Sequence, residues 1–279
     1  MQTSIYVCLI SIVLCYSKSI LCSTCTKNSC TISELGGCIR DISNNVLDAL
    51  TRPQQTIHCH LGPRDCSEIQ NNGINKSGIY RIWPLNWQIY GSFLVYCDME
   101  TDGGGWTIVQ RRGRFDQPKD YFYKNWIDYD VGFGNLSQDF WIGNERIFSL
   151  TNQGNYSLRI DMKDKEGNKA YALYDEFWIE NEKHQYRLHI SGYNGTAGDS
   201  LGRHNNAKFS TKDRDNDFSN QSCAQIYKGG WWYENCHLSN LNGLYFDGPH
   251  ESYADGINWH TWKGYHYSLS EVDMKIRQI

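Results

Sequence analysis

Three carboxylates stand at alternate positions, Asp213, Asp215 and Asp217, and they form the most chemically specific short pattern in the chain. A hard cation such as calcium needs several oxygen ligands that converge from a short loop, and acidic residues at this spacing can supply them. The loop is not an EF-hand, because its sixth position is Phe218 instead of glycine and its twelfth is Ala224 instead of glutamate. The pattern indicates either a calcium loop of another kind or a solvated acidic turn.

Aromatic residues follow this loop closely, in runs such as WWYENCH (231–237) and HESYADGINWHTWKGYHYS (250–268). Aromatic rings can enclose a small apolar group, and a phenol hydroxyl can hydrogen-bond the polar side of the same group. The combination indicates a pocket for a small uncharged group, braced by a calcium ion. The alternative is that, in a chain with 19 tyrosines, these rings are ordinary core or surface residues.

No residue pattern indicates catalysis. A hydrolase needs a nucleophile with a base and an orienting group, or paired carboxylates across a cleft, and the histidines and aspartates here are scattered. The net charge of -4 offers no field that would attract nucleic acid or an anionic membrane. We therefore predict a binding protein that is not an enzyme, does not bind nucleic acid and does not insert into membranes.

The elements that must position these groups are strands, turns and a few helices. Strands are predicted at residues 93–97, 106–110, 156–162 and 186–191, a helix at 137–150, and tight turns at 102–105 and 229–230. Together they predict a large mixed domain over residues 62–279.

Several features predict secretion. Residues 5–14 form an apolar run of signal-peptide length, too short to span a bilayer, so residues 1–21 are predicted to be a signal peptide with an uncertain cleavage point. Eleven cysteines suit an oxidising compartment. Glycosylation sequons stand at Asn75, Asn135, Asn155, Asn194 and Asn220. We expect an extracellular glycoprotein.

Residues 22–61 form a separate Cys-rich leader, which contains Cys22, Cys25, Cys30, Cys38 and Cys59. Its apolar residues follow the a/d spacing of a coiled coil over three heptads, at Ile32, Leu35, Ile39, Ile42, Val46 and Ala49. We predict a homo-oligomer whose short bundle is stapled by cysteines. The alternative is a helix that packs on the large domain.

Blocks of sequence in the large domain carry a resemblance to a known family. They are DCSEI (65–69), VYCDMETDGGGWTIVQRR (95–112), FWIGNERI (140–147), DRDND (213–217), WWYENCH (231–237), WKGYHYSL (262–269) and MKIR (274–277). In this order they resemble the fibrinogen C-terminal globular domain, most closely the acetyl-binding lectins of the tachylectin-5 (techylectin) and ficolin types. The resemblance implies an α+β fold with a twisted antiparallel sheet, short helices and a loop-rich subdomain for calcium and ligand.

The resemblance implies two disulfides, Cys66 with Cys97 and Cys223 with Cys236. The alternative is structural zinc, since His58-Cys59-His60 and Cys236-His237 contain ligand types, although secretion favours disulfides.

The resemblance also assigns the calcium ligands. They are the side chains of Asp215 and Asp217 and the backbone carbonyls of Ser219 and Gln221, completed by water. Asp213 is then a neighbour of the ion and not a ligand.

The implied ligand pocket is a cage for the methyl of an acetyl group, beside a cis peptide between Asn235 and Cys236 that turns backbone N–H groups toward the acetyl oxygen. The full set is Tyr227, Asn235, Cys236, His237, Tyr253, Ala254 and Tyr265. Calcium would brace this pocket without touching the sugar.

These implications lead to one expected function and one alternative. The expected function is a calcium-dependent lectin for N-acetylated carbohydrates such as N-acetylglucosamine and N-acetylgalactosamine, and for other acetylated ligands, that recognises microbial or foreign surfaces by multivalent binding. The leader lacks the Gly-X-Y repeat of ficolin stalks, so complement-style recruitment is not implied. The alternative is a fibrinogen-like protein ligand or a matrix or clotting module, whose relatives lack the complete cage.

Overall fold

A computed structural model of the chain describes residues 62–279, except Gln88 and Ile89. The predicted signal peptide and Cys-rich leader lie outside the described residues and stay predictions. No helix among the described residues is long and apolar enough to cross a membrane.

A nine-stranded antiparallel sheet forms the centre of the domain, in the order β1-β2-β3-β13-β6-β7-β8, with β5 beside β3 and β4 beside β5. The C-terminal strand thus lies in the middle of the sheet. In chain order the strands are β1 (Gly78–Ile82), β2 (Phe93–Asp98), β3 (Trp106–Arg112), β4 (Phe133–Gly134), β5 (Phe140–Trp141), β6 (Tyr156–Lys163), β7 (Lys169–Ile179), β8 (Leu188–Gly195), β9 (Ser239–Asn240), β10 (Gly248–Pro249), β11 (Asn258–Trp259), β12 (Tyr267–Ser268) and β13 (Glu271–Gln278).

Strand β6 illustrates why these residues form a sheet with one buried face. Leu158, Ile160 and Met162 are buried, and they alternate with the half-buried Arg159 and Asp161, as the two-residue period of a strand requires. The predicted strands at 93–97, 106–110 and 156–162 are confirmed by β2, β3 and β6. The predicted strand at 186–191 begins later, at Leu188, because Tyr186 has a φ of +48° and is not extended.

Five short helices complete the domain: α1 (Cys66–Asn71), α2 (Trp126–Val131), α3 (Asn144–Thr151), α4 (Cys223–Tyr227) and α5 (His260–Lys263). The helix predicted over residues 137–150 is wrong in its first half. Phe140 and Trp141 pair with β3 instead, and Gly143 has a φ of +111°, so that a Cβ there would lie 2.6 Å from the Val131 carbonyl oxygen. The helix therefore begins at Asn144.

Apart from α5, the residues between α4 and β13 fold as loops around two small sheets, β9 with β11 and β10 with β12. The anchor of this region is the run Trp231, Trp232 and Tyr233, in which all three side chains are fully buried. The Trp232 indole N–H donates to the Tyr186 carbonyl at 2.7 Å. Because these rings enter the core, the turn that follows them is held in a defined place at the surface.

Two disulfides form among the described residues, Cys66–Cys97 and Cys223–Cys236, the same pairs that the resemblance implies. The first joins α1 to β2, and the second joins α4 to the turn after the buried run. Cys236 is therefore not free to bind zinc; the other zinc candidates, His58, Cys59 and His60, lie outside the described residues.

Candidate ligand pocket and metal loop

The fold brings together the aromatic residues that the sequence places in the pocket. Tyr227 ends α4, His237 follows the Cys236 disulfide, and Tyr265 follows α5. The His237 ring lies 4.6 Å from the Tyr227 ring and 5.8 Å from the Tyr265 ring between centroids, nearly perpendicular to both. The Tyr253 ring lies 5.2 Å from that of Tyr265. These contacts form a continuous aromatic wall.

Hydrogen bonds join two residues of this wall, His237 and Tyr265, to Ala254 in a closed ring. The Tyr265 hydroxyl donates to the His237 carbonyl at 2.9 Å, and the Ala254 N–H donates to the Tyr265 carbonyl at 3.1 Å. The His237 Nε2 lies 3.0 Å from the Ala254 carbonyl oxygen, so it carries the proton and donates. Each of the three residues thus fixes the next.

His237 is a neutral imidazole in this arrangement. Burial, and to a smaller extent the nearby His204, lower the pKa of His237 to about 3. Its Nδ1 is buried and has no hydrogen-bond partner among the described residues. Burial also raises the pKa values of Tyr227 and Tyr265, which keeps both hydroxyls protonated. None of these side chains carries a charge near neutral pH, which suits an uncharged ligand.

The pocket has a buried floor and an exposed rim. Ala254 is 2% exposed, whereas the Tyr253 side chain is 58% exposed. Ala254 has a φ of +61°, a left-handed conformation that turns the chain directly after Tyr253. The small methyl of Ala254 leaves room beside the rings, and Tyr253 offers an open aromatic face.

The peptide between Asn235 and Cys236 is cis. In the part of the chain that the structure describes, neither the Cys236 nor the His237 backbone N–H donates a hydrogen bond. Asn235 is exposed, whereas Cys236 is half-buried. Two successive backbone donors of the turn that carries His237 are thus without an acceptor among the described residues.

Two buried residues that the sequence analysis did not single out hold this region in place. His204 is fully buried; its Nδ1 donates to the Trp232 carbonyl at 2.7 Å, and its Nε2 accepts from the Leu238 N–H at 3.0 Å and the Ser239 N–H at 3.3 Å. His204 therefore ties together both ends of the turn that carries His237. No sequence signal marks it, because its partners lie about 30 residues away.

The second is Asn240, in β9. Its amide donates to the Tyr227 carbonyl at 2.9 Å, and its oxygen accepts from the buried Tyr233 hydroxyl at 2.7 Å. Asn240 is fully buried and so fixes the end of α4 to the aromatic core.

The predicted metal loop is held by its own carboxylates. Asp217 accepts from the Ser219 N–H and from the Cys223 N–H, both at 2.9 Å, and Asp215 accepts from the Asp217 N–H at 3.2 Å. Burial, and then the neighbouring Asp215, raise the pKa of Asp217 to about 6, against the opposing effect of its backbone hydrogen bonds. Two close carboxylates that repel each other form a donor set that a divalent cation would stabilise.

The ion-pair pattern also fits a cation here. Neither Asp215 nor Asp217 pairs with a basic side chain among residues 62–279. Within those residues, no three His, Cys, Asp or Glu side chains converge as a metal site. A shell here would thus need two carboxylates completed by carbonyls, such as those of Ser219 and Gln221, and by water.

Asp213 has a different role from its two neighbours. Its Oδ1 accepts from the Trp126 N–H at 2.8 Å and from the Thr211 hydroxyl at 2.7 Å. It therefore anchors the start of the loop to α2.

All five sequon asparagines are exposed: Asn75, Asn135, Asn155, Asn194 and Asn220. Asn220 lies in the metal loop itself, between Ser219 and Gln221.

The antiparallel sheet, the two disulfides and the loop subdomain together define a fibrinogen-like globe. Residues 62–279 match the family described as "Fibrinogen beta and gamma chains, C-terminal globular domain", and the chain belongs to this family. Members of the family are lectins or other binding modules, not enzymes, and they are typically extracellular.

Among individual proteins, the chain is similar to Techylectin-5A of Tachypleus tridentatus, with 61% identity over 217 residues that cover 78% of this chain and 74% of the relative. A Techylectin-like protein of Phoneutria nigriventer is 54% identical over 187 residues, 66% of this chain and 74% of the relative. Human Tenascin-R is 48% identical over 217 residues, 77% of this chain but only 15% of the relative.

Solved structures show the same fold. The fibrinogen-like globe domain of human ANGPTL2 superposes with a TM-score of 0.74 at 42% identity, over 78% of this chain and 99% of that one. The lamprey fibrin D-dimer, solved with a peptide ligand, has a TM-score of 0.70 at 32% identity, over 98% of this chain and 92% of that one.

Proposed function

We propose that the chain is a secreted, calcium-dependent lectin that recognises N-acetyl groups on glycans. The observation that carries the proposal is the uncharged aromatic pocket around His237, with the unpartnered N–H groups of Cys236 and His237 at its side. The similarity to Techylectin-5A supports a lectin over other members of the family.

The acetyl group would bind by its two ends. Its methyl would contact Tyr227, Tyr265 and Ala254, because apolar contact with desolvated rings is favourable. Its carbonyl oxygen would accept from the backbone N–H groups of Cys236 and His237. The exposed Tyr253 ring would contact the sugar that carries the acetyl group.

Calcium would stabilise the pocket indirectly, through the bonds that connect the metal loop to the turn carrying His237. The ion would be held by Asp215 and Asp217 and by the carbonyls of Ser219 and Gln221. Asp217 bonds the Cys223 N–H, and the Cys223–Cys236 disulfide leads directly to the turn that carries His237. The ion would therefore stabilise the pocket without touching the ligand.

A single pocket of this size would bind weakly, since a small ligand buries little surface. Oligomerisation through residues 22–61 would present several pockets at once and convert weak binding into avidity for repetitive surfaces such as microbial glycans. Recognition of foreign surfaces in innate immunity is the setting that this proposal implies.

The test is retention of the full-length protein on N-acetylglucosamine resin in the presence of calcium. We expect retention that free acetate reverses, since acetate competes for the methyl cage, and that a chelator also reverses. No retention of a folded, calcium-loaded protein would reject the proposal and favour a protein-ligand role, as the similarity to Tenascin-R would allow.

A further inference from the structure

A second cavity, of about 330 Å³, lies away from the candidate pocket, between the end of β3 and the loop after β9. Residues around it include Arg112, Asp116, Tyr121, Asp139, Tyr245 and Asp247. None of the predicted ligand or calcium residues lines it. Its distinguishing feature is a pair of buried, opposite charges that do not pair with each other.

Arg112 is one of these charges and is 2% exposed. Its Nη1 donates to the carbonyls of Leu241 at 3.1 Å and Gly243 at 3.0 Å, and its guanidinium stacks on the Phe122 ring at 3.9 Å. Its Nε has no partner, and within residues 62–279 no carboxylate oxygen lies within 4.0 Å of the guanidinium. The guanidinium is therefore only partly satisfied.

Asp139 is the other charge and is 5% exposed. Its Oδ1 accepts from the Gly113 N–H at 2.7 Å, whereas its Oδ2 accepts no hydrogen bond from the described residues. Burial raises the pKa of Asp139, and the positive charge of Arg112 partly opposes this rise, so the two groups interact electrostatically although they form no ion pair.

The other charged residues of this lining are not buried: Asp116 is exposed and forms no ion pair within residues 62–279. Arg114 pairs with Asp247 at 3.1 Å at the edge of the cavity. In the adjoining cavity of about 670 Å³, Arg111 pairs with Asp273 at 2.8 Å and Lys275 with Asp98 at 2.7 Å. Arg112 and Asp139 are therefore the two buried charges of the smaller cavity's lining, and neither forms an ion pair within residues 62–279.

A buried charge is costly unless it is paired or hydrogen-bonded, so these two groups favour a ligand that supplies both complements. A guanidinium suits a carboxylate, and a carboxylate suits an ammonium group. The lining has two arginines and three aspartates, a net charge of -1 that disfavours a simple anion. Tyr121, Pro118 and Tyr245 supply apolar wall for a side chain.

We propose that this cavity binds a small zwitterion of the amino-acid type, with its carboxylate on Arg112 and its ammonium on Asp139. A volume of 330 Å³ is at the lower end of ligand pockets and limits the ligand to a small molecule. This site is independent of the proposed acetyl pocket.

Isothermal titration of the full-length protein with alanine, leucine and phenylalanine tests the proposal. For the amino acid that binds best, the amide lacks the carboxylate and the deaminated acid lacks the ammonium, while the side chain is unchanged. We expect each analogue to bind at least about tenfold more weakly, since each leaves one buried charge unpaired. None of these probes carries an acetyl group. If no amino acid binds at millimolar concentration, or if both analogues bind as well as the parent, the cavity holds water only and the proposal fails.

Asp139→Asn assigns the ammonium site. Asparagine keeps an oxygen for the Gly113 N–H but removes the charge, so we expect about tenfold weaker amino-acid binding with unchanged retention on N-acetylglucosamine resin. Asp120→Asn, an exposed residue outside the cavity, is the control and should bind like the wild type. Wild-type affinity in a folded Asp139→Asn variant would overturn the assignment.

Discussion

At the scale of single residues, the candidate pocket depends on side chains that are polar but uncharged. His204 is fully buried and His237 is half-buried; both are neutral imidazoles, because partial or full removal from water lowers their pKa values to about 4 and about 3. His204 bonds both ends of the turn that carries His237, and His237 itself is part of the aromatic wall. A protonated His204 could not accept from the Leu238 and Ser239 N–H groups at its Nε2.

His204 should therefore make stability depend on pH. Because its folded pKa lies below the ordinary value of 6.5, its contribution is complete above that pH and is lost as the pH falls toward about 4, by about 3 kcal/mol. Urea denaturation across this window should show a shallower loss for His204→Gln than for the wild type, because glutamine does not titrate. Equal slopes would contradict the prediction.

Tyr253 should contribute to binding but not to folding. Its side chain is 58% exposed, so Tyr253→Ala should change the free energy of unfolding by no more than about 0.5 kcal/mol. The variant should lose retention on N-acetylglucosamine resin, because the rim of the pocket is removed. Tyr90→Ala, which removes a tyrosine that is 67% exposed outside the pocket, is the matched control. Equal retention of both variants would reject the assignment of Tyr253.

At the scale of elements, the metal loop and α4 form one unit. Helix α4 has five residues and is too short to be stable alone. The Ser222 hydroxyl caps it by accepting from the Gln225 N–H at 3.3 Å, and the Cys223–Cys236 disulfide joins it to the ligand turn. Its stability therefore depends on the loop before it.

The three aspartates of the loop should separate into two classes by their response to calcium. Asp215→Ala should abolish the calcium-dependent rise in melting temperature, which for a saturating ligand at about a hundred times its Kd corresponds to roughly 2.7 kcal/mol. Asp213→Ala should lower the melting temperature with and without calcium, because its bonds to Trp126 and Thr211 are lost, but should keep the rise. A calcium-dependent rise that persists in Asp215→Ala would contradict the assignment.

At the scale of the whole molecule, the proposed function needs several globes in one assembly. In this proposal the predicted a/d residues of the leader would be the means of assembly, and each globe would contribute one weak site.

Disrupting the a/d residues of the leader should therefore remove avidity while leaving the affinity of each single site unchanged. The double variant Ile39→Asp, Ile42→Asp places charges at predicted core positions of the coiled coil and should yield monomers in light scattering. Such monomers should bind free N-acetylglucosamine as the wild type does but elute early from the resin. Asn44→Asp, at a position outside the a/d series, is the control. An oligomer that survives the double variant would place assembly elsewhere.

The sequence by itself determined the family and the strands β2, β3 and β6, because these depend on local patterns. The alternation in β6, the order of the blocks that resemble the family and the acidic loop were all readable without coordinates. The start of α3 was not readable, because pairing of Phe140 and Trp141 with β3 outweighs their helical pattern.

Only the tertiary structure decided which polar groups meet. His237 and Tyr265 are 28 residues apart, yet they share a hydrogen bond. His204 bonds both ends of the ligand turn, and Arg112 bonds a loop about 130 residues later while its charge stays unpaired near Asp139. Burial makes such contacts decisive, because a polar group removed from water must find its partner wherever the fold places one.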